Sequence, residues 1–176
     1  MSIANVNTNT TYIISNVKAG TVIDLSAGDN RTVTGWAKNG GPNQKWVLNW
    51  TGNAWNIKNN YTGTYLSIDG SPADGTRLVA APAPFAWHIW RDANNTNTFR
   101  YSLSPVLLLS PEIDVLIESC SIFVPNTNEN IDLYGQGIST SGNPITLWYN
   151  WTNTHQTWNF TPGQCSIVLD NFNAEG

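Results

Sequence analysis

The stretch Gly40-Gly41-Pro42-Asn43-Gln44-Lys45-Trp46 decides the fold, because it is a polar turn that ends on one bulky aromatic residue. Gln44 and Trp46 form a Gln-x-Trp pattern, and Gln156 and Trp158 repeat that pattern near the end of the chain. A recurrence of this kind is typical of an internally repeated architecture. The sequence therefore predicts that the chain is built from similar units.

Each unit opens with an Ile-Asp pair and closes with a tryptophan. The pairs are Ile23-Asp24, Ile68-Asp69 and Ile131-Asp132, and the predicted closing residues are Trp46, Trp90 and Trp158. The distance from the Asp to the Trp is 22, 21 and 26 residues, respectively. This spacing predicts three repeats at about 10–50, 51–94 and 95–162. We interpret 1–162 as a single domain and 163–176 as a C-terminal tail.

The composition favours short strands joined by turns. Only 11% of the 176 residues are charged, the chain is rich in Asn, Thr, Gly and Trp, and no stretch shows helical periodicity. Three units of four strands predict an all-β protein, a β-trefoil with pseudo-threefold symmetry, whereas a propeller normally needs roughly four or more blades. In a trefoil, we expect five residues to be structural: Gln44, Trp46, Trp90, Gln156 and Trp158. Their tryptophans would fill the core, and their glutamines would satisfy buried backbone groups.

Charge and the chain ends exclude several functions. The net charge of −4 and the pI near 4.9 argue against nucleic acid as a partner, because such binding requires clustered Lys and Arg. The N-terminus lacks the pattern of a signal peptide, so we expect a cytoplasmic protein. Cys120 and Cys165 lie outside the expected repeats without metal-ligand spacing, and we interpret them as free thiols. We expect no metal and no cofactor.

The third unit is longer than the others. Asp69 and Asp132 are 63 residues apart, but Asp24 and Asp69 are 45 apart. We place the surplus in an insertion at about 103–125, whose apolar stretches are too short and too interrupted by acidic residues to insert into a membrane. The insertion either packs on the domain with its own strands or forms an interaction surface.

Several stretches resemble a known family. "GTVIDLSAGDN" (20–30), "GWAKNGGPNQKW" (35–46) and "ITLWYNWTNTHQTW" (145–158), with their Gln-x-Trp endings, are similar to the ricin B-type lectins, particularly the small lectins of mushrooms. The resemblance covers residues 10–100 and 126–160. It implies a carbohydrate-binding protein of a fungus that recognises galactose or N-acetylgalactosamine-type glycans in defence, and it is compatible with a homodimer.

The resemblance also implies a sugar site in the first unit. A galactose-like sugar has an apolar C–H face and adjacent hydroxyls, so its site needs an aromatic platform with a carboxylate and an amide. The matching residues are Asp24 as the acid, Trp36 as the platform and Asn43 as the amide, while Gly35 and the turn at Asn39 would bring backbone groups close to the ligand. The alternative interpretation is a turn cap for Asp24 and a core position for Trp36.

A second site is implied in the third unit, where Asp132 and Trp148 match the family pattern. His155 replaces the amide there, and it could donate a hydrogen bond to a sugar. The alternative is a surface histidine beside a decayed site.

The second unit is predicted to have lost its site. Its ending Trp87-His88-Ile89-Trp90 places His88 at the glutamine position and Trp87 at the amide position, and Ala80 stands where a platform would be expected. Asp69 and Trp90 would then serve structure alone.

Catalysis is poorly supported by the sequence. His88 and His155 are the only histidines, and no nucleophile or paired acids accompany them in a recognisable motif. We therefore expect a protein that is not an enzyme. The rival hypothesis is a β-trefoil protease inhibitor that presents a loop from 103–125, and a purely structural protein is a third. The combination of Asp24, Trp36 and Asn43 favours the lectin.

Overall fold

Three consecutive groups of four antiparallel strands build the part of the chain that the computed structural model describes, which comprises residues 6–91, 119–151 and 153–162. The strands are β1 (Thr10–Asn16), β2 (Val22–Leu25), β3 (Val33–Trp36), β4 (Trp46–Trp50), β5 (Trp55–Asn59), β6 (Tyr65–Ile68), β7 (Leu78–Ala81), β8 (His88–Arg91), β9 (Ser119–Phe123), β10 (Glu129–Leu133), β11 (Asn143–Tyr149) and β12 (Trp158–Pro162). This arrangement is a β-trefoil and confirms the predicted fold.

The outer strands of the three groups close a six-stranded barrel. The pairs are β1–β4, β4–β5, β5–β8, β8–β9, β9–β12 and β12–β1, with β5 and β8 joined through a bridge between Trp55 and Trp87. The inner strands form the hairpins β2–β3, β6–β7 and β10–β11. The three hairpins contact one another in a ring, through the pairs Gly35–Asn143, Thr32–Val79 and Arg77–Thr146.

One buried tryptophan fastens the end of each unit to its inner hairpin. The indole N–H of Trp46 donates to the Ile23 carbonyl at 2.9 Å, that of Trp87 to Leu66 at 3.0 Å, and that of Trp158 to Ile131 at 3.1 Å. All three rings are fully buried. Because a buried indole needs an acceptor for its N–H, these bonds identify equivalent positions in the three units.

This equivalence corrects the predicted opening pair and closing tryptophan of the second unit. Its closing tryptophan is Trp87, whereas Trp90 is half-buried on β8. Its opening pair is Leu66-Ser67, and Asp69 lies two residues further on, where it is exposed and forms an ion pair with Arg31 at 2.8 Å. The prediction was wrong because the loop between β7 and β8 is shorter than its counterparts, so Trp90 falls at the expected spacing by coincidence.

The predicted insertion also ends earlier than expected. Strand β9 lies within 103–125, but it belongs to the barrel, and its Cys120 and Ile122 are buried in the core. Cys120 therefore lies inside a repeat and not outside it. Most of the insertion, Cys165 and the tail lie outside the described residues.

Four extra residues account for the longer spacing in the third unit. Tyr134–Gly137 form a single helical turn between β10 and β11, with Gly135 and Gln136 in the left-handed region at φ 65° and 59°. The corresponding hairpin of the first unit lacks this turn. No helix in the described ranges has the length and apolar character needed to cross a membrane.

The assignment of Trp87 as the core residue of the second unit predicts a contrast between two variants. Trp87→Ala should lower the free energy of unfolding by roughly 3–5 kcal/mol, as large-to-small substitutions in a core do. Trp90→Ala should cost clearly less, because its side chain is half-exposed. Urea unfolding followed by fluorescence measures both, and a larger loss for Trp90→Ala would contradict the assignment.

Candidate functional site

The β2–β3 hairpin of the first unit forms one wall of a cavity of about 270 Å³. Asp24 and Thr34 face each other in the hairpin register, and Trp36 lies two residues beyond Thr34, on the same face of the strand. Trp36 is 43% exposed, unlike the closing tryptophans. The lining residues are Asp24, Ser26, Ala27, Thr34, Trp36, Asn39 and Asn43.

A buried glutamine holds this cavity in shape. Gln44 Oε1 accepts hydrogen bonds from the backbone N–H groups of Asn39 and Gly40, at 2.8 and 3.2 Å. Its Nε2 donates to Asp24 Oδ2 at 2.8 Å and to the Ala37 carbonyl at 2.9 Å. The predicted structural role of Gln44 therefore extends to the site, because the same side chain orients the carboxylate and the loop opposite it.

The amides around Asp24 determine what the cavity offers a ligand. Asn43 Nδ2 donates to Asp24 Oδ2 and to the Leu25 carbonyl, both at 3.0 Å, so its Oδ1 remains as an acceptor. Asn39 Oδ1 accepts from the Gly41 N–H at 2.8 Å, which leaves its Nδ2 as a donor. Among the described residues, the side-chain donors to Asp24 reach Oδ2, and Oδ1 is the oxygen left for a ligand.

Burial acts on the charge of Asp24. The residue is 5% exposed, and this burial raises the pKa of its carboxyl, against the opposing effect of hydrogen bonds from Gln44 and Asn43. A buried carboxylate is tolerated when donors satisfy it, and the two amides supply them. Asp24 is therefore a fixed acceptor and not a mobile surface charge.

Gly35 does not line the cavity. A Cβ at this position would lie 2.7 Å from Leu133 Cδ1 and 3.1 Å from Thr21 Oγ1, so the glycine permits close packing against the third unit. Its predicted role near a ligand is replaced by a packing role. Thr34 lines the cavity instead, and the hairpin register, which places it opposite Asp24, could have revealed it.

A hairpin of the third unit packs beside the Trp36 ring. The N–H of Ala37 donates to Ser141 Oγ and that of Gly142 donates to the Gly35 carbonyl, both at 3.0 Å. A Cβ at Gly142 would lie 3.5 Å from Trp36 Cζ3, and its φ of 88° favours glycine. The tip of one hairpin thus lies against the exposed ring of another unit.

Comparison with solved structures decides the family. The *Macrolepiota procera* ricin B-like lectin, solved in complex with lactose, is 46% identical to this chain, with a TM-score of 0.75, and the match covers 89% of this chain and 98% of that lectin. The chain belongs to the ricin B-like lectin family. A family model described as ricin-type beta-trefoil lectin domain-like matches residues 2–81.

More distant structures share the fold of this lectin. The *Rhizoctonia solani* agglutinin is 22% identical, with a TM-score of 0.70 and coverage of 90% of this chain and 99% of that one. The designed threefold-symmetric protein ThreeFoil is 14% identical, with a TM-score of 0.67 and coverage of 86% and 97%. A comparison with curated proteins found no match.

The third unit of the lectin repeats the glutamine framework of the first. Gln156 Oε1 accepts from the Trp151 N–H at 2.8 Å, and its Nε2 donates to Asp132 Oδ2 and to the Tyr149 carbonyl, both at 3.0 Å. His155 takes the place of Asn43, with its Nε2 3.2 Å from Asp132 Oδ2. This histidine is buried, which excludes the alternative of a surface residue.

The cavity of the third unit has a different lining from the predicted one. Its volume is about 180 Å³, and the lining residues are Lys18, Gln136, Trp151, Asn153, Thr154 and His155. Trp151 contributes the aromatic ring, and Trp148 packs against that ring edge-to-face with centroids 6.5 Å apart. Of the three predicted residues, the structure thus brings His155 to the cavity and places Asp132 and Trp148 behind it.

The surroundings of Asp132 and His155 shift the pKa of both groups. Burial, aided by Asp74 and opposed by the Gln156 hydrogen bond, raises the pKa of the Asp132 carboxyl to about 6. Burial and the charge of Lys18 lower the pKa of His155. Both shifts oppose a fully charged pair, so at pH 7 a neutral imidazole donates to a carboxylate.

The second unit lacks the groups of both cavities. Tyr65 on β6 is equivalent to Val22 on β2, and their cross-strand partners are Ala81 and Trp36, respectively. Ala81 rather than Ala80 therefore occupies the platform position. Measured from Trp87, the amide and glutamine positions hold Pro84 and Phe85, and Ser67 replaces the acid. None of these residues supplies a carboxylate, an amide or an exposed ring.

The raised pKa of Asp132 predicts how stability changes with pH. The ordinary value is 3.8 and the folded value is about 6, so in this range the folded state binds more protons than the unfolded state. The contribution of Asp132 to the free energy of unfolding therefore falls as pH rises through this window. Asp132→Asn removes that contribution. As pH rises from about 4 to 6.5, the free energy of unfolding of the variant should therefore increase relative to that of the wild type. Urea unfolding across this range tests the prediction, and a difference that stays constant with pH contradicts it.

Proposed function

We propose that this lectin binds galactose or N-acetylgalactosamine-type glycans in the cavity of the first unit. The observation that carries the proposal is that Asp24, Asn39 and Asn43 line one cavity together with the exposed ring of Trp36. The relative that is 46% identical was solved with lactose, a galactoside, which supports this sugar class.

The geometry assigns each group a role in binding. The C–H face of the sugar stacks on the Trp36 ring, which is wide enough to cover it and is neighboured by Gly142 of the third unit. Two adjacent hydroxyls donate to Asp24 Oδ1 and Asn43 Oδ1, and a sugar oxygen accepts from Asn39 Nδ2. The bond to the carboxylate is charge-assisted and is the strongest of the three. Since Gln44 and Asn43 fix the carboxylate beforehand, little conformational entropy is lost on binding.

Binding without turnover fits the composition of the cavity. Glycoside hydrolysis usually requires two carboxyl groups on either side of the scissile bond. The lining of the first cavity contains one, Asp24, and one of its oxygens already accepts two amide donors. We infer a recognition protein rather than a glycosidase.

We propose that the protein acts in fungal defence from the cytoplasm, by binding glycans of other organisms. The protease-inhibitor alternative has less support, since the described part of 103–125 contributes the barrel strand β9.

Substitution of Asp24 tests the sugar site. In Asp24→Asn, the amide oxygen can still accept from Gln44 and Asn43, but an N–H group replaces the acceptor that faces the cavity. Lactose binding should weaken by roughly 1.5–3 kcal/mol, about tenfold to more than a hundredfold in Kd. Calorimetric titration with lactose measures the change.

Asp69→Asn is the matched control, because Asp69 follows an isoleucine like Asp24 but lies exposed on another unit. It should bind lactose like wild type. Thermal melts of both variants establish that the fold is retained. Wild-type protein that binds no galactoside, or an Asp24→Asn variant with unchanged affinity, would refute the proposed site.

A further inference from the structure

The cavity of the third unit carries a positive charge that the first cavity lacks. We propose that this second cavity binds an acidic sugar, a saccharide bearing a carboxylate or a sulfate, and that Lys18 binds the acid group. The inference rests on the proposed lectin function and extends it to a second class of ligand.

Lys18 reaches the cavity from the first unit. It lies in the turn between β1 and β2, where its backbone N–H donates to Asn16 Oδ1 at 3.1 Å. A Cβ at Gly137 would lie 2.9 Å from His155 Cβ and 3.1 Å from Lys18 Cδ, so the glycine lets the lysine stem approach the histidine. Within the described parts of the chain, no carboxylate forms an ion pair with the Lys18 ammonium. Its charge is therefore available to a ligand.

The remaining lining suits a saccharide. Trp151 is 53% exposed and presents an aromatic surface, as Trp36 does in the first cavity. Gln136, Asn153 and Thr154 supply neutral hydrogen-bonding groups for hydroxyls or acid oxygens.

Asp132, the acid that contacts this lining, is not itself part of it. The buried His155 binds Asp132 Oδ2, and His155 lines the cavity while Asp132 does not. The lining thus includes a cation and no carboxylate, which favours an anionic ligand.

The first cavity shows the opposite arrangement at the equivalent turn. Tyr61 occupies the position of Lys18, since its N–H donates to Asn59 Oδ1 at 3.0 Å in the same type of turn. The lining of the first cavity includes the Asp24 carboxylate and no cation. An acidic sugar would be repelled there, so the two cavities should divide neutral and acidic glycans between them.

The experiment measures the second cavity alone by abolishing sugar binding at the first. In a Trp36→Ala background, calorimetric titrations compare lactose, 3′-sialyllactose and lactose 6′-sulfate. We expect the carboxylated or the sulfated saccharide to bind and lactose to bind negligibly, and the stronger of the two acidic ligands identifies the acid group. If Trp36→Ala fails to fold, Asp24→Asn provides the alternative background.

Charge variants then test Lys18 itself. Lys18→Gln in the same background should weaken acidic-saccharide binding by about tenfold or more, and Lys18→Arg should retain it. Lys58→Gln is the matched control, since Lys58 lies over the Tyr65 ring in another unit, and it should have no effect.

Two results would overturn the proposal: no binding of either acidic saccharide, or full binding in Lys18→Gln. Neither depends on lactose binding by the wild type, which tests the first cavity separately. Affinity that does not fall with added salt would also exclude an ionic contact as the basis of binding.

Discussion

The rest of this lectin depends on one hydrogen bond that recurs in each unit. It joins the indole N–H of the closing tryptophan to a backbone carbonyl of the first inner strand, which is β2, β6 or β10. In the first unit it joins Trp46 to Ile23, whose next residue is Asp24. In the third it joins Trp158 to Ile131, which precedes Asp132. Asp24, which lines the first cavity, and Asp132, which contacts the lining of the other, each follow directly on a fully buried hydrogen bond, so the packing of the core fixes the position of both carboxyl groups.

A glutamine two residues before each of these tryptophans connects the core to the ligand-facing loop. Gln44 and Gln156 make the same set of contacts, with a loop N–H, a loop carbonyl and the carboxylate. Because this framework satisfies its own polar groups, the residues mounted on it can differ. Asn43 and Asn39 in one unit correspond to His155 and Trp151 in the other, so the same backbone presents different chemistry.

Much of this structure follows from the sequence, because the Gln-x-Trp endings report core and loop together. They predict the trefoil, and the family resemblance to which they contribute implies a site of Asp24, Trp36 and Asn43, which line one cavity in the structure. The closing tryptophan of the second unit could not be identified in this way. Phe85 stands where the glutamine would be, which removes the marker, and two tryptophans three residues apart then compete for the closing position.

Contacts between units have no signature in a single sequence. Gly35 packs against Leu133, and the Lys18 side chain reaches a cavity whose other residues lie more than a hundred positions away. Strand β9 was similarly hard to predict, since its five residues include two serines and directly follow the apolar stretch of the expected insertion. Such features depend on how the hairpins meet around the axis, and local periodicity does not encode that arrangement.

The contact of Gly142 with Trp36 has a counterpart that reaches beyond the first cavity. A Cβ at Gly75 of the second unit would lie 3.8 Å from Trp148, and the Gly75 N–H donates to the Leu147 carbonyl at 2.8 Å. Two units thus have an aromatic ring beside the hairpin of a neighbouring unit: Trp36 lies beside the third unit, and Trp148 lies beside the second. The second unit lacks the acid, amide and exposed ring of a sugar site at the equivalent positions, yet its Gly75 lies beside Trp148, which packs against Trp151 in the third unit. A binding module in this fold is consequently one hairpin together with its neighbour's tip, and a single repeat moved into another scaffold would carry its platform without the support behind it.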